Sequence, residues 1–331
     1  MEYFGTLGPA CAHVETLKQM IKAGMTGVRL NLSHRSLRES ESLIKTYFKA
    51  AKECEIYPDF MIDLMGPEIR VGAMSGMMVL KKGQEVTVGD GQIPVQKEIL
   101  PYFKKGQEIL IDDGKLELEV TEEQKDGKCR CRVLCGGPLS SRKGITLPGC
   151  QVERPTLTQK DLENLNFAEE YGVTDVMLPF VRGKEDLLDL RTALDQNGYK
   201  NIRIFAKIEN MQGVEHLQEI LPFCDYVVIA RGDLGNAVPY HKLPRLQAEI
   251  ARRCQKYGRK FMVVTQMLHS MIEHPYPTRA EVNDIFHAIE QGADAVMLTG
   301  ETAAGKYPAE AIKMLVDTGK EAEDYLKELE S

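Results

Sequence analysis

The sequence lacks the features that mark membrane, secreted and nucleic-acid-binding proteins. It contains no apolar run approaching the roughly 20 residues of a transmembrane helix, so we expect no membrane association. Its first residues, Met1-Glu-Tyr-Phe-Gly, carry neither a basic leader nor a long apolar segment, so we expect no secretory signal. Basic residues are also not in excess. The 42 Lys and Arg face 49 Asp and Glu, and the net charge of −7 argues against a nucleic-acid partner.

Cysteine is too sparse for a disulfide framework. The 8 cysteines are scattered over 331 residues, which favours reduced thiols and a cytoplasmic location. One cluster comprises Cys129, Cys131, Cys135 and Cys150, but its C-x-C-x3-C spacing matches no standard zinc motif. Cys129 and Cys131 would share one face of a strand, where packed thiols are a more ordinary interpretation than a metal site.

What the chain does contain is a series of apolar runs that end abruptly in charge. With 43% apolar and 27% charged residues, it has ample material for a globular core. The clearest stretch covers residues 204–233, where two β-branched runs lead into Lys207, Glu209 and Asp233. Two carboxylates suit Mg²⁺ or Mn²⁺, and a neighbouring lysine suits a phosphoryl group in transfer. The alternative interpretation is a surface ion pair between two loops.

This pattern recurs along the chain and alternates with helical segments. The predicted strands lie at residues 3–7, 26–30, 60–62, 175–178, 202–206, 226–230, 261–264 and 295–298. A helix follows each strand; one spans about residues 36–54, and another begins with the capping-box-like Thr158-Gln-Lys-Asp161. This alternation makes an α/β fold, a (β/α)8 TIM barrel, the leading prediction. A doubly wound open sheet is the rival, but no G-x-G-x-x-G follows the first strand.

Between the third and fourth strands the pattern changes. From about residue 71 to 151, short alternating runs are broken by Gly-Asp, Asp-Gly and Gly-Gly turns, which predicts an all-β module. We therefore assign residues 1–68 and 153–331 to a barrel catalytic domain and residues 69–152 to a β-barrel-like lid domain inserted after strand 3. Such a lid would close over the site and exclude water.

Active sites of such barrels lie at the carboxyl ends of the strands. Polar residues follow the predicted strands at this end, and we expect them to share one face. They are Arg29, Asn31, Ser33, Asp63, Arg182, Lys207, Glu209, Asp233, Thr265, Gln266, Thr299 and Glu301.

The chain resembles the pyruvate kinase family in motifs that occur in the family's order from end to end. The motifs include Thr6-Leu-Gly-Pro-Ala, Arg29-Leu-Asn-Leu-Ser-His, Gly66-Pro-Glu-Ile-Arg, Leu157-Thr-Gln-Lys-Asp, Ala206-Lys-Ile-Glu-Asn, Ala230-Arg-Gly-Asp-Leu-Gly, Thr265-Gln-Met-Leu and Gly300-Glu-Thr-Ala-Ala-Gly-Lys-Tyr-Pro. The resemblance covers the family's barrel and lid domains but not its C-terminal effector domain. It therefore implies an enzyme without effector control through that domain, acting as a monomer or homodimer.

The resemblance implies a glycolytic kinase that transfers a phosphoryl group from phosphoenolpyruvate to ADP, giving pyruvate and ATP, with Mg²⁺ (or Mn²⁺) and K⁺ as cofactors. It implies catalytic roles for Lys207, Arg29 and Thr265, and binding of phosphoenolpyruvate by Lys207, Gly232, Asp233 and Thr265. Metal ligands would be Glu209 and Asp233 for Mg²⁺, and Asn31, Ser33, Asp63 and Leu64 for K⁺. The nucleotide would contact Pro9, Arg29, His34, Arg70, Asp113 and Lys143. In having a glutamate rather than a lysine at residue 68, the chain resembles the K⁺-dependent branch of the family.

Three departures from the family's pattern concern substrate fit and rate. Leu64-Met65-Gly66 replaces the usual Thr-Lys-Gly, Pro179 replaces a serine, and Asn236-Ala237 replaces the usual Val/Ile-Glu. Two other functions therefore stand beside the kinase. One is a barrel lyase or decarboxylase acting on a 2-oxo acid with a divalent metal, and the other is a catalytically weak regulatory paralogue.

Overall fold

Eight parallel strands close into a barrel in the computed structural model, which describes residues 1–33, 35–112, 114–150 and 152–330. Numbered along the chain, the strands are β1 (Glu2–Thr6), β2 (Gly27–Asn31), β3 (Asp59–Asp63), β4 (Met78–Leu80), β5 (Glu85–Gly89), β6 (Glu108–Ile111), β7 (Leu116–Lys125), β8 (Lys128–Cys135), β9 (Gly137–Leu139), β10 (Ile145–Thr146), β11 (Asp175–Leu178), β12 (Arg203–Ile208), β13 (Tyr226–Ala230), β14 (Lys260–Val264) and β15 (Ala295–Met297). The closed barrel has the order β1-β15-β14-β13-β12-β11-β3-β2. The predicted TIM barrel is confirmed.

Helices connect the barrel strands. They are α1 (Val14–Lys22), α2 (Glu41–Glu53), α3 (Gln159–Leu165), α4 (Lys184–Gln196), α5 (Met211–Glu215), α6 (Leu217–Ile220), α7 (Arg231–Ala237), α8 (Leu243–Tyr257), α9 (Arg279–Glu290), α10 (Gly300–Ala303) and α11 (Pro308–Glu330). Side-chain caps begin α3, α5 and α9, because Thr158 accepts the Asp161 N–H, Asn210 accepts the Gly213 N–H and Thr278 accepts the Glu281 N–H. The helix predicted from residue 36 instead opens with the 3-10 turn Arg38–Ser40, since Glu39 accepts from the backbone and side chain of Ser36.

Two apolar layers hold the barrel. The interior is filled by large side chains such as Phe4 and Met61, and the rings of Phe205 and Tyr226 stack with centroids 4.4 Å apart. A second, larger core lies between the strands and the apolar faces of the helices. All five residues of β13 are buried, which explains why this strand reads as a continuous apolar run rather than an alternating one. A packed interior of this kind leaves the strand ends as the place for a site.

The chain divides into two compact units. The first comprises Met1–Gly66, Thr156–Leu234 and His241–Ser331, and the second comprises Pro67–Pro155 and Gly235–Tyr240. The second unit contains a five-stranded antiparallel sheet, β10-β6-β7-β8-β5, and the pair β4-β9, around its own apolar core. It also holds a 3-10 helix, Lys97–Tyr102, which the alternating pattern did not predict.

The cysteines are free thiols throughout. Cys129 and Cys131 lie on one face of β8 and are completely buried, as the alternation predicted, whereas Cys135 is exposed. Burial raises the pKa of the Cys131 thiol to about 12, so this side chain acts as a small apolar group in the second core. Among the described helices, none has the length and apolar character needed to cross a membrane.

Candidate active site

Lys207 and Glu209 lie at the carboxyl end of β12, where the Glu209 side chain is buried and the Lys207 side chain is 14% exposed. The Lys207 Nζ is 2.9 Å from Oε1 of Glu209 and 3.5 Å from Oδ2 of Asp63, the last residue of β3. Burial alone would lower the pKa of Lys207, but the carboxylates of Asp63 and Glu209 outweigh burial and raise it above its ordinary value. The two carboxylates therefore favour the charged form of Lys207 at the carboxyl end of the barrel.

Asp63 is also the partner of Arg29, which lies on β2. Arg29 donates to Asp63 Oδ2 from Nε at 2.9 Å and from Nη2 at 2.5 Å. The other carboxylate oxygen, Oδ1, is buried and has no hydrogen-bond partner in the described part of the chain. A buried carboxylate oxygen without a donor is costly unless a cation or water completes it, so this atom suits a hard cation.

The residues predicted to bind K⁺ lie at the carboxyl ends of β2 and β3, next to Asp63. Asn31 ends β2 beside Asp63 of β3, with the two residues in register. Its side-chain Oδ1 accepts the Ser33 N–H at 3.0 Å, which tightens the turn after the strand. Leu64 follows Asp63 directly, and its backbone N–H donates to Met177 O at 3.1 Å. These residues offer amide, hydroxyl, carboxylate and carbonyl oxygens, which are the ligand types of hard cations.

A residue without a predicted role orients the Leu64 carbonyl. The Met65 N–H donates to Asp161 Oδ1 at 2.8 Å, and the Gly66 N–H donates to Asp161 Oδ2 at 3.1 Å. Because a trans peptide is planar, the first bond fixes the direction of the Leu64 carbonyl on the opposite side. Asp161 is completely buried and also accepts from Thr158. Its capping-box spacing was visible in the sequence, but its second task, holding residues 65–66, was not.

Glu209 is held by an unusual turn after β11. Its Oε2 accepts the Phe180 N–H at 2.9 Å, and Phe180 has a φ of +54°, in the left-handed region. Asp233, the other predicted Mg²⁺ ligand, lies in the first turn of α7, after the neighbouring strand β13. No group of three or more His, Cys, Asp or Glu side chains in the described ranges could hold a metal ion. Two carboxylates suit a Mg²⁺ ion that takes its other ligands from water and substrate oxygens.

Two consecutive residues after β14 also have left-handed backbones. Thr265 has a φ of +79° and Gln266 a φ of +56°. Positive φ is a genuine outlier for a β-branched residue, and such strain is concentrated at functional sites. A Cβ on Gly232 would lie 3.3 Å from Thr265 Cγ2 and 3.8 Å from Thr265 Oγ1. Gly232 and Thr265 are therefore close neighbours at the ends of adjacent strands.

Two predicted face residues brace the loops. Glu301 is buried and accepts from the backbone N–H groups of Thr299 and Leu268, at 2.8 Å and 3.2 Å. Arg182 forms a fork with Asp186, with Nη2 to Oδ1 at 2.6 Å. These contacts hold the turns that follow β11, β14 and β15 at the carboxyl end of the barrel.

The residues predicted to contact nucleotide are divided between the two units. Pro9 begins the 3-10 turn Pro9–Cys11 after β1, and His34 lies outside the described residues, as does Asp113. In the second unit, Arg70 pairs with Glu68 at 2.5 Å and donates to Arg142 O at 2.7 Å. Lys143 of the same unit pairs with Asp112 at 2.9 Å. Both cations thus have carboxylate partners within the second unit.

Comparison with known proteins gives one consistent result. The family model described as pyruvate kinase, barrel domain, matches residues 2–312. Relatives named pyruvate kinase from Staphylococcus saprophyticus and Staphylococcus epidermidis are each 40% identical over 97% of this chain. One from Staphylococcus aureus is 38% identical over the same share. The chain spans 57% of the length of these relatives.

Proposed function

Because the chain belongs to the pyruvate kinase family, we propose that it transfers the phosphoryl group of phosphoenolpyruvate to ADP, giving pyruvate and ATP. One observation carries the proposal most directly. The buried Lys207 ammonium lies between the carboxylates of Asp63 and Glu209, at the carboxyl end of the barrel strands. Phosphoryl transfer requires positioned positive charge more than covalent chemistry, and a desolvated ammonium provides such charge.

Lys207 and Arg29 would act on the phosphoryl group. Both cations now share Asp63 Oδ2, so an incoming phosphoryl oxygen would compete with that carboxylate for their N–H groups. In the transition state negative charge spreads over the phosphoryl oxygens, and two fixed cations in a water-poor site stabilise it more than the ground state. Their ion pairs with Asp63 hold both side chains close to the positions in which they would act.

The chain offers oxygen ligands for both a divalent and a monovalent cation. Glu209 and Asp233 would hold Mg²⁺ or Mn²⁺, and Asn31, Ser33, Asp63 and the Leu64 carbonyl would hold K⁺. The unpartnered Oδ1 of Asp63 supports the second assignment. When bound, the ions supply positive charge next to the substrate's anionic oxygens.

The carboxylate of phosphoenolpyruvate would bind between the ends of β13 and β14. The backbone N–H groups of Gly232 and Asp233 would donate to it together with the hydroxyl of Thr265. The close approach of Gly232 to Thr265 supports this placement, since a Cβ at residue 232 would crowd the Thr265 methyl group at 3.3 Å. Thr265 would also hold the water that protonates the enolpyruvate carbon after transfer.

The nucleotide phosphates would be bound by cations and by the turn after β1. The proposed set is Pro9, Arg29, His34, Arg70, Asp113 and Lys143. We assign the catalytic domain to residues 1–68 and 153–331 and the lid domain to residues 69–152. A cytoplasmic location and a monomeric or homodimeric state complete the proposal.

The test is phosphoenolpyruvate-dependent formation of ATP from ADP, with Mg²⁺ and with or without K⁺. Lys207→Ala serves as the blank. ATP formation that requires K⁺ and disappears in this variant would establish the kinase. If no nucleoside diphosphate gives turnover above the blank, the proposal is wrong. Release of CO₂ or cleavage of a 2-oxo acid by the same protein would then identify the lyase.

A further inference from the structure

Arg231, the first residue of α7, contacts the turn after β14 and the helix α9 next to the predicted substrate site. Its side chain is only 12% exposed. It donates to the Thr265 carbonyl from Nε at 3.2 Å and from Nη2 at 2.7 Å. From Nη1 it reaches both oxygens of Asp284 on α9, at 2.8 Å and 2.7 Å. The guanidinium thus bridges the end of β14 to an outer helix.

The carbonyl that Arg231 holds belongs to the strained residue of the site. Thr265 and Gln266 both have positive φ, a conformation that the local sequence does not favour. Such a backbone persists only where surrounding contacts determine it. Two hydrogen bonds from a charged donor to one carbonyl are a contact of this kind, because charge-assisted bonds are stronger than neutral ones.

Arg231 connects Thr265 to the residues predicted to bind the substrate carboxylate from the other side of the pocket. It immediately precedes Gly232 and Asp233, whose backbone amides would bind the substrate carboxylate. Its side chain crosses to Thr265, whose hydroxyl would bind the same group. Gly232 and Thr265 are close neighbours, because a Cβ added to Gly232 would lie only 3.3 Å from Thr265 Cγ2, so a small rotation of Thr265 would change the width of the pocket.

We propose that Arg231 is a positioning residue that, anchored by Asp284, holds Thr265 in its left-handed conformation and so sets the distance between the Thr265 hydroxyl and the Gly232–Asp233 amides. The role rests on the proposed function, because the pocket concerned is that of the phosphoenolpyruvate carboxylate. Lysine cannot replace arginine here, since a single ammonium cannot reach the carbonyl twice and the carboxylate twice in one plane.

A matched control exists on α8. Arg253 also bridges a carbonyl and a carboxylate, with Nη1 to Val214 O at 2.9 Å and Nη2 to Glu249 at 2.5 Å. It contacts none of the predicted site residues through these bonds. Arg231→Lys and Arg253→Lys each keep the charge and lose the fork. A role of Arg231 that is only structural predicts similar behaviour for the two variants.

The first measurement is hydrogen–deuterium exchange of the ligand-free protein, read on peptides that cover residues 264–268. We expect faster exchange there in Arg231→Lys and in Asp284→Asn, and unchanged exchange in Arg253→Lys. Asp284→Asn keeps Arg231 in place and removes only its anchor, which guards against a folding defect in the first variant. Unchanged exchange in both site variants would overturn the inference, whatever reaction the protein catalyses.

The second measurement is kinetic. For Arg231→Lys we expect kcat to fall about tenfold or more and the KM for phosphoenolpyruvate to rise, with the KM for ADP within about twofold of wild type. Methyl-hydrogen exchange of pyruvate in D₂O should fall by a similar factor, because under the proposed function it would use the water held by Thr265. Equal losses for phosphoenolpyruvate and ADP, or equal losses in Arg253→Lys, would overturn the role. If the wild-type protein itself makes no ATP, the proposed function fails. The backbone hydrogen–deuterium exchange of residues 264–268 still decides the inference about Arg231.

Discussion

Arg29 and Asp63 meet through one oxygen, because both Nε and Nη2 of the arginine donate to Asp63 Oδ2. The same oxygen lies 3.5 Å from the Lys207 ammonium, while Oδ1 has no partner in the described chain. One carboxylate therefore orders two cations and keeps a second oxygen available. In a buried site this arrangement maintains charged side chains in place before substrate arrives, which lowers the cost of reorganisation during reaction.

Replacing Lys207 should remove activity without unfolding the barrel. We expect Lys207→Met to lower kcat for ATP formation by about a hundredfold or more, since one positioned charge at the transferring group is lost. The measurement is a coupled assay for pyruvate at saturating substrates. Lys260→Met is the control, because Lys260 lies at the other, amino end of its strand and is exposed. A Lys207 variant with wild-type kcat would contradict the assigned role.

Neutralising Asp63 should alter the response to K⁺. Asp63→Asn keeps the shape of the side chain but removes the charge that the unpartnered oxygen would offer a monovalent cation. We expect the K⁺ concentration for half-maximal activation to rise about tenfold. It is measured by titrating KCl at constant ionic strength. Conversely, Asp90→Asn in the second unit, an exposed carboxylate paired with Lys97, should leave the titration unchanged. An unchanged K⁺ response in Asp63→Asn would remove this residue from the proposed site.

The amino end of the barrel should make stability depend on pH. There Arg203 pairs with Asp175, Asp59 and Glu2, and Asp175 is completely buried. Burial, only partly offset by Arg203, raises the pKa of Asp175 from 3.8 to about 6. The folded protein therefore binds a proton that the unfolded chain releases between these values. The contribution of Asp175 is fully present below pH 3.8 and is lost as pH rises through about 6.

Across that window, we expect the free energy of unfolding of wild type, relative to that of Asp175→Asn, to fall by up to about 3 kcal/mol as pH rises. The reason is that ionisation of the buried Asp175 destabilises the folded wild type. Urea unfolding at several pH values measures it, followed by circular dichroism because the chain has no tryptophan. Asp317→Asn, at an exposed ion pair on α11, serves as the control. Parallel pH profiles for wild type and Asp175→Asn would show that the group does not titrate in this range.

Asp161 should matter for stability out of proportion to its size. Its two oxygens accept from the N–H groups of Met65 and Gly66 and from Thr158. An asparagine there turns one acceptor into a donor facing other donors, so we expect Asp161→Asn to lower the free energy of unfolding by about 2 kcal/mol or more. Urea denaturation measures the change. The exposed Glu163→Gln on the same helix should change it by less than about 0.5 kcal/mol. Equal stability of the two variants would contradict this account.

Much of the barrel could be predicted because its signals are local. A buried parallel strand has to be apolar on both faces, so β13 appears in the sequence as an unbroken run. The caps at Thr158 and Thr278 also involve residues only three positions apart, so this signal too is local. The 3-10 turn Arg38–Ser40 was missed because Ser36 and Glu39 form a local hydrogen-bonded loop within an otherwise helical pattern.

The amino-acid sequence by itself determined the alternation of strands and helices, the place of the inserted β module and the end of the barrel strands at which Lys207, Glu209 and Asp63 lie. Only the tertiary structure decided which charges meet. Asp63 contacts Arg29 and Lys207, which lie on strands far from it in sequence, and Arg231 contacts Thr265 and Asp284 in the same way. The reason is physical. Periodicity is encoded within a few residues, whereas the direction of a buried charged side chain is set by burial and by partners that only the closed barrel brings within hydrogen-bonding distance.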